Sequence, residues 1–291
     1  MCNKSLLGFL NIDKPKGMTS HDVVSKVRRI LNIKQVGHSG TLDPFATGVL
    51  PIAIGKATKL IEYLDDDKEY LATIKFGANT TTYDLEGEIT QTFDVKVSEI
   101  DVINALTNFE GEISQIPPVY SAIKVNGKKL YDYARAGDAV EIKPRQVIIH
   151  NIELVEFNEN EQVAKILVAC SKGTYIRSIA YDLGKILNCG GYLIDLRRTR
   201  AGNFSVDKSI NIENLKPDEI DKFLINPVEI MDVPTRELTI AEIQRVQHGM
   251  SINNDGYKNS DIVFLVYSGK IYAVGMVSNE KILVKKLFEV L

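Results

Sequence analysis

Apolar and polar positions divide the chain into short segments of two periods. GFLNIDKP comes close to alternation and stops at Pro15, which reads as a short strand. Thr19 or Ser20 then offers an N-cap. Val23, Val24, Val27, Ile30 and Leu31 recur at helical spacing and predict a helix to about Leu31. VLPIAIG reads as a buried strand, ATKLIEYL as a helix, and KEYLATIKFG, nearly alternating, as a strong strand. NTTTYDLEG is a polar loop whose Asp84 and Gly87 suggest a turn. A second helix is expected around Ser98 to Phe109, followed by a break at QIPPVY. Asn126 and Gly127 have the look of a hairpin turn, and a short helix after them is capped by Gly137.

The second half continues the mixture. QVIIHNIELVEF and QVAKILVACS are a pair of long strands, and SKGTYIRSIAYDLGKILN turns into a helix. That helix carries Ile176, Ile179, Ala180, Leu183 and Ile186 on one side. YLIDLRRTRAGNF looks like a strand ending in arginines. Strands and helices alternate without a regular βαβ repeat, so the expected class is α+β, with a sheet flanked by helices and loops. Pro234 punctuates the chain. Beyond it, one helix (IAEIQRVQHG) and the strands DIVFLVYSG, KIYAVGMVS and KILVKKLFEV form a small β-rich appendage. The expected division is therefore residues 1–234 and residues 235–291.

Composition narrows the class. The 291 residues, 44% hydrophobic and 25% charged, are enough for a sizeable core. No apolar run approaches the roughly 20 residues that span a bilayer. The N-terminal apolar patch lacks a small-residue cleavage site, so no signal peptide is expected and a cytoplasmic location is favoured. Cys2, Cys170 and Cys189 make no C-x-x-C pair, and His21, His38, His150 and His248 make no H-E-x-x-H, so no metal site is expected. The net charge of −3 is no global signal for nucleic acid. Its distribution is uneven, however. Between Cys170 and Ser205, Lys172, Arg177, Lys185, Arg197, Arg198 and Arg200 face only Asp182 and Asp195. A second basic stretch, Ser121 to Val147, holds Lys124, Lys128, Lys129, Arg135, Lys143 and Arg145. A polyanion-binding face remains compatible with the acidic total.

Several reactions are disfavoured by spacing. GVLPIAIGKAT resembles a phosphate-cradling loop, yet six residues rather than four separate Gly48 from Gly55, and Ala57 stands where Ser or Thr would hold magnesium. No G-x-S-x-G elbow and no strand-linked G-x-G-x-x-G occurs. What stands out is Asp43, between the glycines and small residues of GHSGTLDPFATG. The residues alone leave it open whether Asp43 is a solvated loop acid or a positioned carboxylate. Arg177 in SKGTYIRS, at the start of a helix after an apolar strand, is a candidate to pair with it and favour its ionised form, with Tyr175 nearby.

Six ordered blocks resemble one family. GFLNIDKPKGMTSHDVV, GHSGTLDPFATGVLPIAIGKATK, KEYLATIKFG, TTYDLEG, IPPVYSAIKVNGKKLYDYAR and SKGTYIRSIAYDLG are similar to the motifs of the bacterial TruB family of tRNA pseudouridine synthases, from about Leu7 to Phe204. The resemblance implies a pseudouridine synthase fold, with a mixed, mostly antiparallel sheet and a small C-terminal PUA-like RNA-binding domain. It also implies isomerisation of uridine-55 in the tRNA T-loop to pseudouridine, without cofactor or metal. Asp43 would be the essential aspartate, acting either on the ribose C1′ or by elimination. Arg177 would pair with it, and Tyr70 would stack on the target base and assist proton loss at carbon 5. Tyr175 and Leu196 would line the pocket, His38 would enter the RNA loop, and Lys14 would belong to the opening motif. Arg197, Arg198, Arg200, Lys128, Lys129, Lys143 and Arg145 would contact phosphates. The expected partner is tRNA, at its T-loop and elbow, with no membrane, no obligatory protein partner and a monomeric chain. The nearest rivals are the catalytic subunit of a guide-RNA complex and an RNA chaperone without chemistry.

Overall fold

A computed structural model describes residues 6–121, 123–125, 127–136 and 140–288. The chain opens with β1 (Leu7–Lys14), α1 (Ser20–Leu31), β2 (Val36–His38) and β3 (Thr47–Gly55). There follow β4 (Lys68–Phe76), β5 (Ala78–Thr80), β6 (Ile89–Thr92), α2 (Glu99–Leu106) and β7 (Gly111–Gln115). A small hairpin pairs β8 (Lys124–Val125) with β9 (Lys128–Lys129), and α3 (Leu130–Ala136) comes next. Asn126 and Gly137, the expected turn and cap residues, lie outside the described residues. The long antiparallel pair is β10 (Arg145–Asn158) and β11 (Val163–Cys170). Then come α4 (Ile176–Ile186), β12 (Gly191–Ala201), β13 (Phe204–Ser205), β14 (Ile210–Asn211) and α5 (Pro227–Ile230).

Ten of these strands build one sheet in the order β14-β1-β3-β12-β4-β11-β10-β7, with β2 on β3 and β13 on β12, while β5 pairs only with β6 and β8 only with β9. Most joins are antiparallel; β1–β14 and β3–β12 are parallel. The mixed α+β architecture is thus the one expected. The β3–β12 join decides where the site lies. Gly48 (φ +103°) pairs with Arg198, and a Cβ there would meet the Arg198 carbonyl oxygen at 2.2 Å, so only glycine allows these strands to approach.

Local signals explain several elements. Thr19 and Asp22 form a reciprocal capping box at the start of α1, and Asn32 ends it in the left-handed region at φ 53°. The expected α-helix at ATKLIEYL is instead a 3₁₀-helix, Lys56–Tyr63. Its inward residues, Ala57 and Leu60, are three apart, the period at which side chains of that tighter helix eclipse. β1 is covered on both faces: Leu10 and Ile12 join the cluster under α1, and Phe9 joins the one facing the C-terminal sheet. Ile186, expected on the packed side of α4, is its last residue and stands 45% exposed.

The second sheet contains β15 (Thr235–Glu237), β16 (Ile252–Asn253), β17 (Ile262–Tyr267), β18 (Lys270–Ser278) and β19 (Lys281–Leu287). Its order is β15-β17-β18-β19-β16, with α6 (Ile240–Gln247) against it. Phe264, Val266, Val274 and Phe288 pack on Phe9, Val49, Ala53 and Ala57 of the first sheet's flank. No helix among the described residues is long and apolar enough to cross a membrane.

Candidate active site

Asp43 lies in the connection between β2 and β3, and the connection is fastened on both sides of it. Leu42, Phe45 and Ala46 are buried. Ser20, at the start of α1, takes the Leu42 N–H at 2.8 Å and donates its hydroxyl to the Leu42 carbonyl at 3.2 Å. The Pro44 carbonyl accepts from the Gly17 N–H (2.8 Å) and from Lys14 Nζ (3.2 Å). Anchors at 42, 44, 45 and 46 leave the Asp43 side chain as the part that projects.

Arg177 is the second residue of α4, whose N-cap residue Tyr175 supplies no side-chain cap. Gln115, at the end of β7, substitutes for one. The Tyr175 N–H donates to Gln115 Oε1 at 2.7 Å, and Gln115 Nε2 donates back to the Tyr175 carbonyl at 3.0 Å. Ser178 Oγ donates to the Ile116 carbonyl at 2.8 Å. So fixed, the Arg177 guanidinium meets Asp43 at two points, Nε to Oδ2 (3.0 Å) and Nη2 to Oδ1 (3.3 Å). The remaining donors reach Asp84 Oδ2 (3.2 Å) and the carbonyls of Tyr120 (3.1 Å) and Thr82 (3.5 Å). Asp84, 2% exposed, is itself saturated: its Oδ1 accepts from Thr82 Oγ1 (2.5 Å) and the Glu86 N–H (3.0 Å).

One guanidinium therefore serves two carboxylates, and the electrostatics follow. Burial pushes the Asp43 carboxyl above the usual carboxylate range; Arg177 pulls it down, Asp84 pushes it further up and Lys14 opposes. Burial outweighs Arg177 here, so the downward shift expected from the sequence is reversed, and Asp84 adds to the reversal. Lys14 is fully buried, donates to the carbonyls of Met18 (2.6 Å), Pro15 (3.0 Å) and Pro44, and is pulled down to about 8, chiefly by desolvation. Burial also raises the phenols of Tyr70 and Tyr175 and lowers the His38 imidazole.

Asp43 opens onto a cavity of about 650 Å³, a size that admits a nucleoside, lined also by Tyr70, Tyr120, Tyr175, Arg177 and Leu196. Five of the seven residues singled out in the sequence thus share one cavity. Lys14 sits beneath its floor, under the Asp43 turn, and His38 ends β2 outside the lining with Nδ1 unpartnered. Three residues with evident roles were not singled out: Asp84, Gln115 and Tyr120. Asp84 and Tyr120 fall inside the motif blocks TTYDLEG and IPPVYS, a signal that pointed to their segments without marking them. Arg198, expected at phosphates, is corrected by its burial. It is 1% exposed, because Leu196 and Arg198 occupy the inward face of β12. Arg197 pairs with Asp13 at 2.8 Å, while Lys128, Lys143 and Arg145 are exposed; the side chain of Lys129 lies outside the described residues.

Such a site can hold a planar base between aromatic and aliphatic walls, present an oriented carboxylate to its sugar, and set a fixed cation against the protonation that burial favours. Comparison with known proteins fits this chemistry. The model for the N-terminal domain of TruB family pseudouridylate synthases matches residues 28–176, and that for the tRNA pseudouridylate synthase B C-terminal domain matches residues 177–231. The tRNA pseudouridine synthase B of Clostridium kluyveri is 42% identical over 289 residues, 97% of this chain and 99% of the relative. The protein of that name from Carboxydothermus hydrogenoformans is 45% identical over 289 residues, 97% and 98% of the two. Among solved structures, a chain of an H/ACA RNP bound to a substrate RNA containing 2′-deoxyuridine matches with a TM-score of 0.72 and 26% identity. The match covers 97% of this chain and 85% of that one.

Proposed function

The chain belongs to the TruB family of pseudouridylate synthases, and from that premise we propose that it isomerises uridine-55 of the tRNA T-loop to pseudouridine. The observation that carries the reading is Asp43, held at two points by a buried arginine at the edge of a nucleoside-sized cavity. The uridine leaves the T-loop stack and enters this cavity, at a cost of a few kcal/mol that binding elsewhere must supply. Tyr70 receives the base on its ring and assists proton loss from carbon 5, while Tyr175 and Leu196 close the sides. Asp43, ionised and oriented by Arg177, acts at the ribose, as nucleophile at C1′ or by elimination beside it. His38 reaches into the space the base vacates, and Lys14 supports the turn that presents Asp43.

Exposed Lys128, Lys143 and Arg145 hold the RNA by its phosphates, which position it without reading sequence. Residues 235–291 form the PUA-like RNA-binding domain and residues 1–234 the catalytic domain. The chain works as a cytoplasmic monomer, without a protein partner, metal or cofactor. The test is conversion by the purified chain alone. Tritium at uracil carbon 5 should be released from a tRNA transcript, with no release above background when position 55 is cytidine. Release unchanged by that substitution, or none from the uridine transcript, would overturn the reading.

A further inference from the structure

Four cations line the cavity: Lys68, Lys172, Arg177 and Arg198. Lys68 and Lys172 both pair with Asp66, and Arg177 with Asp43 and Asp84. Arg198 has no carboxylate partner among the described residues. Its Nε donates to the Val49 carbonyl at 2.6 Å and its Nη2 to the Gly40 carbonyl at 3.3 Å. The Tyr70 hydroxyl is its third partner. A guanidinium this buried, held by neutral groups alone, retains an uncompensated positive charge, an arrangement that folding alone disfavours. Its position is specific. Arg198 stands directly opposite Tyr70 across β12 and β4, and Leu196 opposite Ala72, so Arg198, Tyr70 and Leu196 share the sheet face that makes one wall of the cavity. Neighbouring groups register the charge: burial lowers Lys14, His38 and Lys68 and Arg198 adds to it, while Arg198 opposes the upward push of burial on the Tyr70 phenol.

We propose that Arg198 stabilises the negative charge that uracil acquires when its bond to the ribose breaks. The inference rests on the isomerase reading above and concerns its leaving group. By either route open to Asp43, rupture of N1–C1′ leaves the electron pair on the base, as an anion delocalised over N1, O2 and O4. When the base rejoins through carbon 5, that pair becomes the new C–C bond, and the proton lost from carbon 5 is balanced by one gained at N1. Arg177 has its donors committed to Asp43, Asp84, Thr82 and Tyr120, so the free positive charge comes from the opposite wall. A preorganised charge acts where charge develops, and removing one such group typically slows turnover by about a hundredfold to a thousandfold.

Two substitutions test this. Arg198→Gln removes the charge; it should slow single-turnover conversion of uridine by about a hundredfold while the dissociation constant for tRNA changes less than about threefold. The same variant on T-loop RNA carrying 5-fluorouridine, read as cleavage of N1–C1′ because carbon 5 there has no proton to lose, should lose clearly less, because fluorine stabilises the base anion and lessens the need for help. Arg198→Lys keeps the charge and tests the idea even if the glutamine variant does not fold. The charged and titratable groups around position 198 are Lys14 from β1, His38 from β2, and Lys68 and Tyr70 from β4. Buried among these cations, a lysine there loses its proton at a lower pH than usual. Conversion by Arg198→Lys should therefore show a falling limb with rising pH beyond any that Lys14, pulled down to about 8, gives the arginine enzyme.

Equal penalties on uridine and 5-fluorouridine, or a lysine variant with the wild-type pH profile, would overturn the proposal. Failure of the underlying reading looks different: it would appear as conversion surviving in Asp43→Asn, whatever position 198 does.

Discussion

On one wall of the cavity, Arg177 is committed to two carboxylates and two carbonyls; on the other, Arg198 is more deeply buried and meets two carbonyls and the Tyr70 hydroxyl, with no carboxylate among the described residues. The first wall is assembled from three distant segments, the Asp43 turn, the start of α4 and the turn around Asp84. The second is two neighbouring strands, β4 and β12, in direct register. The difference separates two uses of a buried cation. Arg177 is a structural hub that, in the proposed reaction, also orients Asp43, so its loss should disturb fold and chemistry together. The β4–β12 wall has its backbone secured by the ladder, so polar changes there should reach the chemistry with the fold largely kept.

The largest expected effect is on the first wall. Arg177→Met strands Asp84 as a buried, uncompensated carboxylate, and breaking a buried pair this way costs about 3–5 kcal/mol. Urea unfolding should report a loss of that order together with loss of turnover. On the second wall, Tyr70→Phe removes the hydrogen bond between the Tyr70 hydroxyl and Arg198 and should cost about 1 kcal/mol of stability, while lowering turnover. Equal destabilisation by the two changes would remove the distinction. Next comes Gln115→Ala, which leaves the Tyr175 N–H without its partner and its carbonyl with the Ile179 N–H alone, and should cost about 1–3 kcal/mol. Turnover should fall with it, since Gln115 sets where Arg177 begins.

Asp84→Asn sharpens the comparison through pH. The rate requires ionised Asp43, so it falls as pH is lowered through a titration that burial and Asp84 place above the ordinary aspartate range. Removing the Asp84 charge lowers that titration, and the acid limb should move to lower pH, with turnover down about tenfold from looser Arg177 placement. An acid limb that stays in place would mean that Asp84 does not share in the charge of Arg177. The smallest effect belongs outside both walls. Lys143→Ala with Arg145→Ala should weaken tRNA binding modestly and reduce its salt dependence by roughly one unit of slope per contact, leaving single-turnover conversion at saturation unchanged.

What could be read from the sequence tracks how local each cause is. α1 was legible because its cap, its acid at N3 and its apolar stripe lie within a dozen residues. Lys68–Phe76 and the pair Arg145–Asn158 and Val163–Cys170 were legible because alternation survives where one side of a strand is less covered. The 3₁₀-helix at Lys56–Tyr63 was not, since three-residue and 3.6-residue periods barely differ over eight positions. In the site, ordered motifs pointed to Asp43, Tyr70 and Arg177, and the fold brings all three to one cavity. Asp84 looked like a turn residue, and it is one: the Gly87 N–H donates to its carbonyl at 3.3 Å. Its second role depends on Arg177, 93 positions away. Arg198 was misread for a similar reason. In a run of arginines, composition suggests a surface, and only the register against Tyr70 turns one of them inward.

The central claim is that Asp43 performs the chemistry and does not merely shape the site. Asp43→Asn keeps the size of the side chain and its capacity to accept from Arg177 while removing the charge. Single-turnover conversion of uridine-55, measured beside tRNA binding, tests it directly. Conversion should fall by at least about a thousandfold, with the dissociation constant for tRNA within about threefold of wild type. Conversion within about tenfold of wild type would contradict it.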